Sequence, residues 1–512
     1  MNTNFFYGKD KLTVQIAVSL AKGKMKGILG DAEKQRINNS RGYIQNMVAN
    51  GKTVYGVTTG FGILANTKID ENDASLLQYK ILQSHSVGVG DDIAPEIARL
   101  MLITKIHSLS FGYSGVQLLT IERILWHLEN DILPAVPEKG SVGASGDLAP
   151  LAHLFLPLIG LGEVYYNNKK YKSQEILNQF GLKPVLLTPK EGLALINGTQ
   201  FILSFAIKAV QRLKNCLDAA DIIGAMSLEA LTGTKAPFDE RLHQLRPFNG
   251  NILVAKRLNT LLQHSEIMQS HIDCGRVQDP YSLRCMPQVH GASRNAWAHL
   301  KELTEIEANS VTDNPIILNE EETISGGNFH GQPLALPLDY ACFAASEIGN
   351  ISDRRCYLLL EGKWGLPLLL MNNVGLNSGF MIPQYTTAAL VTENKTLCFP
   401  ASADSIPTSL GQEDHVSMGS ISGRKLNKVL DNLEYILAIE LLCASQAIEF
   451  RRPLKSSAIL EYAHQYVRSY VGFAEEDRVF ANDINKIKTI ISDFSFVEKI
   501  NEFTASINLQ LD

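Results

Sequence analysis

The chain has 512 residues, with 47 basic and 53 acidic side chains and a formal net charge of −6. Apolar residues make up 45% and charged residues 20%, a globular balance that excludes intrinsic disorder and leaves ample material for a large core. So small a negative charge offers no basic field for nucleic acid.

Near the start, Lys9 and Lys11 precede a mildly apolar stretch from Leu12 to Ala21. Thr13, Gln15 and Ser19 interrupt it, so no signal peptide is expected. Residues 1–200 are rich in glycine and short segments, whereas 201–512 read as long helices, which divides the chain into two regions. A proline-free stretch from Phe201 to Leu231 predicts one long helix, and others are predicted over about 288–310 and 338–361. The uncharged run from Gly365 to Thr392 is long enough to span a bilayer. Its Asn372, Asn373, Asn377, Gln384, Pro367 and Pro383 would be costly in lipid, so it is read as buried protein and no membrane partner is expected. From Leu426 the apolar positions 426, 429, 430, 433, 436 and 437 share one helical face, and between Ile436 and Ala447 the only charge is Glu440. A helix apolar nearly all round must be surrounded by protein. With no strand–helix alternation to suggest a doubly wound sheet, the expectation is an all-α long-helix bundle, extended by helices of other subunits.

Seven cysteines, at 216, 274, 285, 342, 356, 398 and 443, are odd in number and never spaced as CxxC. That pattern fits reduced thiols in a cytoplasmic protein better than disulfides or a zinc site. No other ligand cluster stands out, so no metal is expected.

The most informative segment is GSVGASGDLAPLAH at 140–153. No lysine follows its glycines as a phosphate loop requires, and the GKT at 51–53 has Asn46 where that loop's first glycine belongs. A hydrolase elbow needs glycine two places past the serine, where this chain has Asp147. Two readings remain. One is a tight turn with Ser145 or Asp147 capping a helix. In the other, a sharply bent Ala144-Ser145-Gly146 lets the Gly146 nitrogen attack the Ala144 carbonyl. Loss of two waters then gives a methylidene-imidazolone (MIO), an electrophile made without an external cofactor. Small residues are needed there because side chains would block the close approach.

GSVGASGDLAPLAH resembles the signature of the aromatic amino acid ammonia-lyases, and YGVTTGFG (55–62) resembles their N-terminal motif. EGLALINGTQ (191–200), VQDPYSLRCMPQ (277–288), TDNP (312–315), GGNFHGQP (326–333) and NSGFMIPQ (377–384) continue the likeness in order. The family usually has Asn where this chain has Thr58, a change that bears on the loop around Tyr55. The resemblance implies an all-α fold similar to the fumarase and aspartase bundles, a homotetramer, and an MIO formed from Ala144, Ser145 and Gly146. It implies Tyr55 as the base for the β-proton and Arg284 as the clamp on the substrate carboxylate, where a guanidinium fork matches the geometry. Tyr281, Asn197 and Gln278 would orient the electrophile and the substrate, and Phe329 would line the ring pocket. Within the family, ring-facing residues separate histidine enzymes from those for phenylalanine and tyrosine. Here they are Ser84-His85 and Glu413 in Gln412-Glu413-Asp414-His415. An imidazole carries an N–H that a phenyl ring lacks, so a carboxylate facing it gains a charge-assisted hydrogen bond. His85 and Glu413 therefore favour elimination of ammonia from L-histidine to give trans-urocanate. A tyrosine or phenylalanine ammonia-lyase or aminomutase shares every MIO motif and is the alternative. A lyase scaffold without turnover is opposed by the intact Ser145, Tyr55 and Arg284.

Overall fold

Helix accounts for 59% and strand for 7% of a computed structural model of the chain. It describes residues 4–64, 66–67, 69–272 and 275–511. The fold is all-α. Cys274 lies outside the described residues, and none of the other six cysteines forms a disulfide among the described residues.

The chain divides into two units. The first comprises Met1–Lys208, Leu300–Asp339 and Pro400–Arg424. Its helices include Asp31–Ala49, Glu71–His85, Pro95–Ser110, Leu118–Glu129 and Leu148–Phe155. Pro95 opens its helix at the position where the missing N–H is not needed, and from Ile97 nearly every residue to Ser110 is buried. Very short strands fill the gaps. Asn4–Phe6 pairs in parallel with Lys26–Ile28, and Leu133–Pro134, Glu163–Tyr166 and Lys169–Lys172 form a small antiparallel sheet. Asn167 and Asn168 make the two-residue turn of its hairpin, with φ of 48° and 59°, a conformation asparagine tolerates. Such strands are too short to show alternation in the sequence.

The second unit comprises Ala209–His299, Tyr340–Phe399 and Lys425–Asp512. It holds most of four long helices, Gln200–Ala230, Met286–Ala308, Gln332–Leu360 and Gly419–Glu449. Leu426, Val429, Leu430, Leu433, Ile436 and Leu437 are all fully buried. Glu440 is tolerated among them because Arg355, also fully buried, donates to it from Nε at 2.5 Å and Nη2 at 2.9 Å. Ser227 and Ser352 satisfy the same carboxylate at 2.7 and 2.5 Å. Removing either partner would leave the other charge buried and unpaired, which is strongly destabilising.

One expectation is corrected. The uncharged run 365–392 is only partly buried within this chain: Leu366, Leu370, Met371 and Phe380 are buried, but Leu376 is 90% exposed and Val374, Ile382 and Tyr385 face outward. Apolar composition signals a need for cover, and for these outward-facing side chains no described part of this chain supplies it. No helix among the described residues is long and apolar enough to cross a membrane.

Candidate active site

The GSVGASGD segment is bent by its own backbone. The Gly146 N–H donates to the Gly143 carbonyl at 3.2 Å, closing a tight turn around Ala144 and Ser145. Ser145 has φ 47°, left-handed for a residue with a side chain, and Gly146 has φ 87°. The turn is tied to the INGTQ segment. The Gly198 N–H donates to the Ser145 carbonyl at 3.1 Å, and the Asp147 N–H donates to the Gly198 carbonyl at 2.9 Å. A Cβ on Gly146 would stand 2.1 Å from the Gly198 oxygen, so only glycine fits. The capping expectation is refined. Asp147 does precede the Leu148–Phe155 helix, but its carboxylate makes no cap bond there. Its Oδ2 instead accepts from the backbone N–H groups of Phe201 and Ile202 at 3.1 and 3.0 Å, in the first turn of Gln200–Ala230. Burial pushes its carboxyl up to about 7, against the pull of those two bonds.

A cavity of about 530 Å³ opens over this turn and gathers Tyr55, His85, Ser145, Asn197 and Glu413 on its walls. Phe61, Leu77, Ile81, Leu193 and Ile196 make much of the rest apolar. A recess of about 230 Å³ shares His85 and Glu413 and reaches Ala144 and Ser141. Gly146 is buried beneath. Tyr55 stands in a turn that Thr58 clasps. The Thr58 hydroxyl accepts from the Val54 N–H at 3.0 Å and donates to the Lys52 carbonyl at 3.0 Å, so this residue completes the loop. The Tyr55 hydroxyl oxygen accepts from the Gly62 N–H at 3.1 Å. His85 ends the Glu71–His85 helix, with Nδ1 3.0 Å from the Ser84 hydroxyl. Burial lowers its pKa below the usual imidazole range, while a bond to the Ile81 carbonyl and the nearby Glu413 charge push the other way. The Glu413 carboxylate accepts from the Thr408 hydroxyl at 3.0 Å, and the two residues pair as an isolated antiparallel bridge. Asn197 is held from two sides, donating to the Asn314 carbonyl at 2.6 Å and to Asp313 at 3.3 Å.

Four expected site residues are placed elsewhere. Phe329 does not line the cavity. It is half-buried in a loop fixed by Gly326 donating to Asn314 Oδ1 at 2.8 Å and by a turn from His330 N–H to the Gly327 carbonyl at 2.9 Å. Gln278, Tyr281 and Arg284 belong to the second unit and do not line the cavity of the first. Tyr281 is 70% exposed, and the Arg284 guanidinium lies over its ring at 4.5 Å. Arg284 Nε donates to the Asp279 carbonyl at 3.0 Å, and among the described residues no carboxylate pairs with it. Sequence reasoning passed over Gly198 and Thr408. Gly198 lies inside a quoted motif, but its positive φ of 118° leaves no trace in composition.

The aromatic amino acid lyase family profile matches residues 12–469. The chain belongs to the aromatic amino acid lyase family. It is 44% identical over 504 residues to a histidine ammonia-lyase of Pseudoalteromonas atlantica, covering 98% of this chain and 99% of that protein. Among solved structures, the histidine ammonia-lyase of Trypanosoma cruzi superposes with a TM-score of 0.90 at 40% identity, over 98% of this chain and 96% of that one. A tyrosine aminomutase of Streptomyces globisporus superposes with a TM-score of 0.93 at 33% identity, over 98% and 99%. Shape alone therefore does not separate the substrates; sequence identity is higher to the histidine enzymes.

Proposed function

We propose that this chain is a histidine ammonia-lyase, eliminating ammonia from L-histidine to give trans-urocanate. The observation that carries the reading is the convergence on one cavity of the Ser145 turn, the Tyr55 phenol and the His85–Glu413 pair. An elimination of this kind has two difficulties: the β-hydrogen is weakly acidic, and the amine leaves poorly until it is activated. Ala144, Ser145 and Gly146 fit an MIO, since their turn is tight, left-handed and closed against any Cβ at Gly146. Such a group supplies the electrophile that activates the substrate without an external cofactor.

The remaining roles fall to side chains. Tyr55 takes the β-proton on its phenol oxygen, which the Gly62 N–H holds in place by donating to it at 3.1 Å. Glu413 accepts a hydrogen bond from the substrate imidazole while Thr408 steadies its other oxygen, and His85 flanks the same ring. Asn197, anchored to Asn314 and Asp313, orients the Ser145 loop and the substrate. The apolar walls keep water from the reacting atoms and strengthen these interactions.

Gln278, Tyr281, Arg284 and Phe329 complete the site of a neighbouring subunit in a homotetramer, where Arg284 clamps the substrate carboxylate. Outward-facing apolar side chains support an oligomer: Tyr340, Phe343 and Tyr357 on Gln332–Leu360, and Ile382 and Tyr385 on Met381–Leu397, each 43–59% exposed. Six cysteines without a disulfide among the described residues support a reducing, cytoplasmic setting.

Two measurements test the reading. The peptide carrying Ala144–Gly146 should be lighter than its sequence by two waters, and Ser145→Ala should keep the fold and lose nearly all turnover. In a panel of histidine, tyrosine and phenylalanine followed by product absorbance, histidine should be preferred. A preference for tyrosine or phenylalanine would transfer the assignment to the other branch of the family.

A further inference from the structure

A buried lysine beneath the Ser145 turn has no part in the chemistry above. Lys105 sits in the Pro95–Ser110 helix and is 2% exposed. Its Nζ donates to the Asn197 carbonyl at 2.5 Å. The peptide unit that accepts this bond is Asn197–Gly198, and the N–H of the same unit donates to the Ser145 carbonyl at 3.1 Å. One peptide group therefore connects the lysine nitrogen to the carbonyl of the residue that must be dehydrated.

The connection is rigid. Gly198 and Gly146 pair as an isolated parallel bridge. A Cβ on Gly198 would stand 2.6 Å from both Gln200 Oε1 and Thr312 Oγ1, so a side chain here would have to displace them. The carboxylate that would otherwise hold Lys105, Asp313, is taken by Lys190 at 2.6 Å, with both partners buried. Asp147 is the other acidic group acting on Lys105. The charge of Lys105 thus reaches the site through a carbonyl. Burial lowers the Lys105 pKa to about 7, with Asp313 and Asp147 raising it and Lys190 lowering it further.

We propose that Lys105 is a positioning residue for maturation of the Ser145 turn, polarising the Asn197–Gly198 peptide so that the Gly198 N–H draws electron density from the Ser145 carbonyl. This rests on the reading that Ala144–Gly146 cyclises. In that reaction the Gly146 nitrogen bonds to the Ala144 carbonyl carbon. The carbonyl oxygen leaves as water with the protons of the Gly146 and Ser145 nitrogens. The second water takes the Ser145 Cα proton and the Cβ hydroxyl, and a Cα=Cβ double bond forms. No oxidant is involved. The Cα proton is the difficult one, and it lies next to the carbonyl that Gly198 holds. A hydrogen bond to that oxygen stabilises the charge developing as the proton leaves, and a chain of bonds ending in an ammonium strengthens the donor. Lys105 therefore acts on the second water loss more than on the first.

The test is a timed cell-free synthesis of the full chain as wild type, Lys105→Met and Lys105→Gln, with the peptide carrying residues 144–146 weighed at intervals. Wild type losing no water would refute the cyclisation reading itself, which separates that failure from failure of this inference. With wild type losing two, Lys105→Met should accumulate peptide lacking one water only, and complete the second loss at least 10-fold more slowly. If circular dichroism shows the methionine variant unfolded, the glutamine variant decides by the same criterion, since it keeps a neutral donor of similar reach. Loss of both waters at the wild-type rate would overturn the proposal. So would an equal slowing of both losses, because a packing defect alone would produce that.

Discussion

Replacing Glu413 by Gln is the most direct perturbation of substrate choice. The two side chains have the same shape, and a glutamine oxygen can still accept from the Thr408 hydroxyl, which now meets the carboxylate at 3.0 Å. The backbone bonds of the Thr408–Glu413 bridge, at 2.9 and 3.3 Å, do not involve the side chain. Only the charge is removed, from a half-buried loop position, so stability should change by no more than about 0.5 kcal/mol. Turnover should respond much more. A hydrogen bond to a charged acceptor contributes roughly 1.5–3 kcal/mol, and its loss from the transition state lowers kcat/KM for histidine roughly 10- to 150-fold. A second readout does not depend on turnover. Glu413 raises the His85 pKa against the effect of burial, so Glu413→Gln should move the His85 titration downward in an NMR pH series. The assays are product absorbance for kcat/KM, thermal unfolding for stability, and the imidazole shift for electrostatics. Unchanged kcat/KM in a variant whose His85 titration has moved would refute Glu413 as the imidazole partner. A fall in activity that merely follows a fall in Tm would refute it equally.

Three further outcomes are expected. Gly146→Ala should yield a destabilised protein that loses no water from residues 144–146, by thermal unfolding and peptide mass, because φ 87° and the Gly198 oxygen 2.1 Å from the new Cβ oppose the turn. His127, enclosed with its Nδ1 3.1 Å from the Ile132 carbonyl, has a folded pKa lowered to about 4, so the unfolded chain binds the extra proton between about 6.5 and 4. Wild type should accordingly lose roughly 3 kcal/mol relative to His127→Gln as pH falls through that window, and parallel urea-midpoint curves would contradict this. Ser145→Ala and Arg284→Ala chains, each nearly inactive, should regain measurable activity when co-assembled, and verified mixed tetramers without recovery would rule out sites shared between subunits.

What could be read from the sequence follows the range of the interactions involved. The long helices were legible because exclusion of proline and apolar spacing act over neighbouring residues; Met286–Ala308 and Gln332–Leu360 begin two and six residues ahead of expectation. Glu440 was legible as an anomaly, but Arg355 could not be named as its partner, since 85 residues separate them. The Ala144–Gly146 triplet was legible through its resemblance to the family signature, since small residues in succession mark any glycine-rich turn. Gly198 was not, because its role depends on which backbone lies across from it. The run 365–392 shows the limit most plainly. Composition reports that Val374, Ile382 and Tyr385 favour cover, but not whether that cover comes from the same chain. For Gln278, Tyr281 and Arg284 the motif carries residue identity, and nothing in it specifies whose cavity they serve.

The Ser145 turn also explains why several distant segments resemble the family together. The cyclisation proposed for Ala144–Gly146 needs a bend that is unfavourable for a free chain, since Ser145 is held in a left-handed conformation that costs about 1–2 kcal/mol. The fold holds that bend from two sides. On one, Gly198 bonds the Ser145 carbonyl and the Asp147 N–H. On the other, Met418 donates to the Val142 carbonyl at 3.0 Å, and a Cβ on Gly143 would stand 2.3 Å from the adjoining Ser417 Oγ. Asp147 then joins the turn to the start of Gln200–Ala230 through Phe201 and Ile202. Holding reacting groups in place in this way replaces an improbable encounter with a fixed geometry, the condition under which intramolecular reactions gain most. The glycines at 143, 146 and 198 are thus needed as a set: a side chain on any one would displace a different wall of the same clamp. A variant at Gly198 should therefore block water loss at Ser145 even though it leaves the Ala-Ser-Gly triplet untouched.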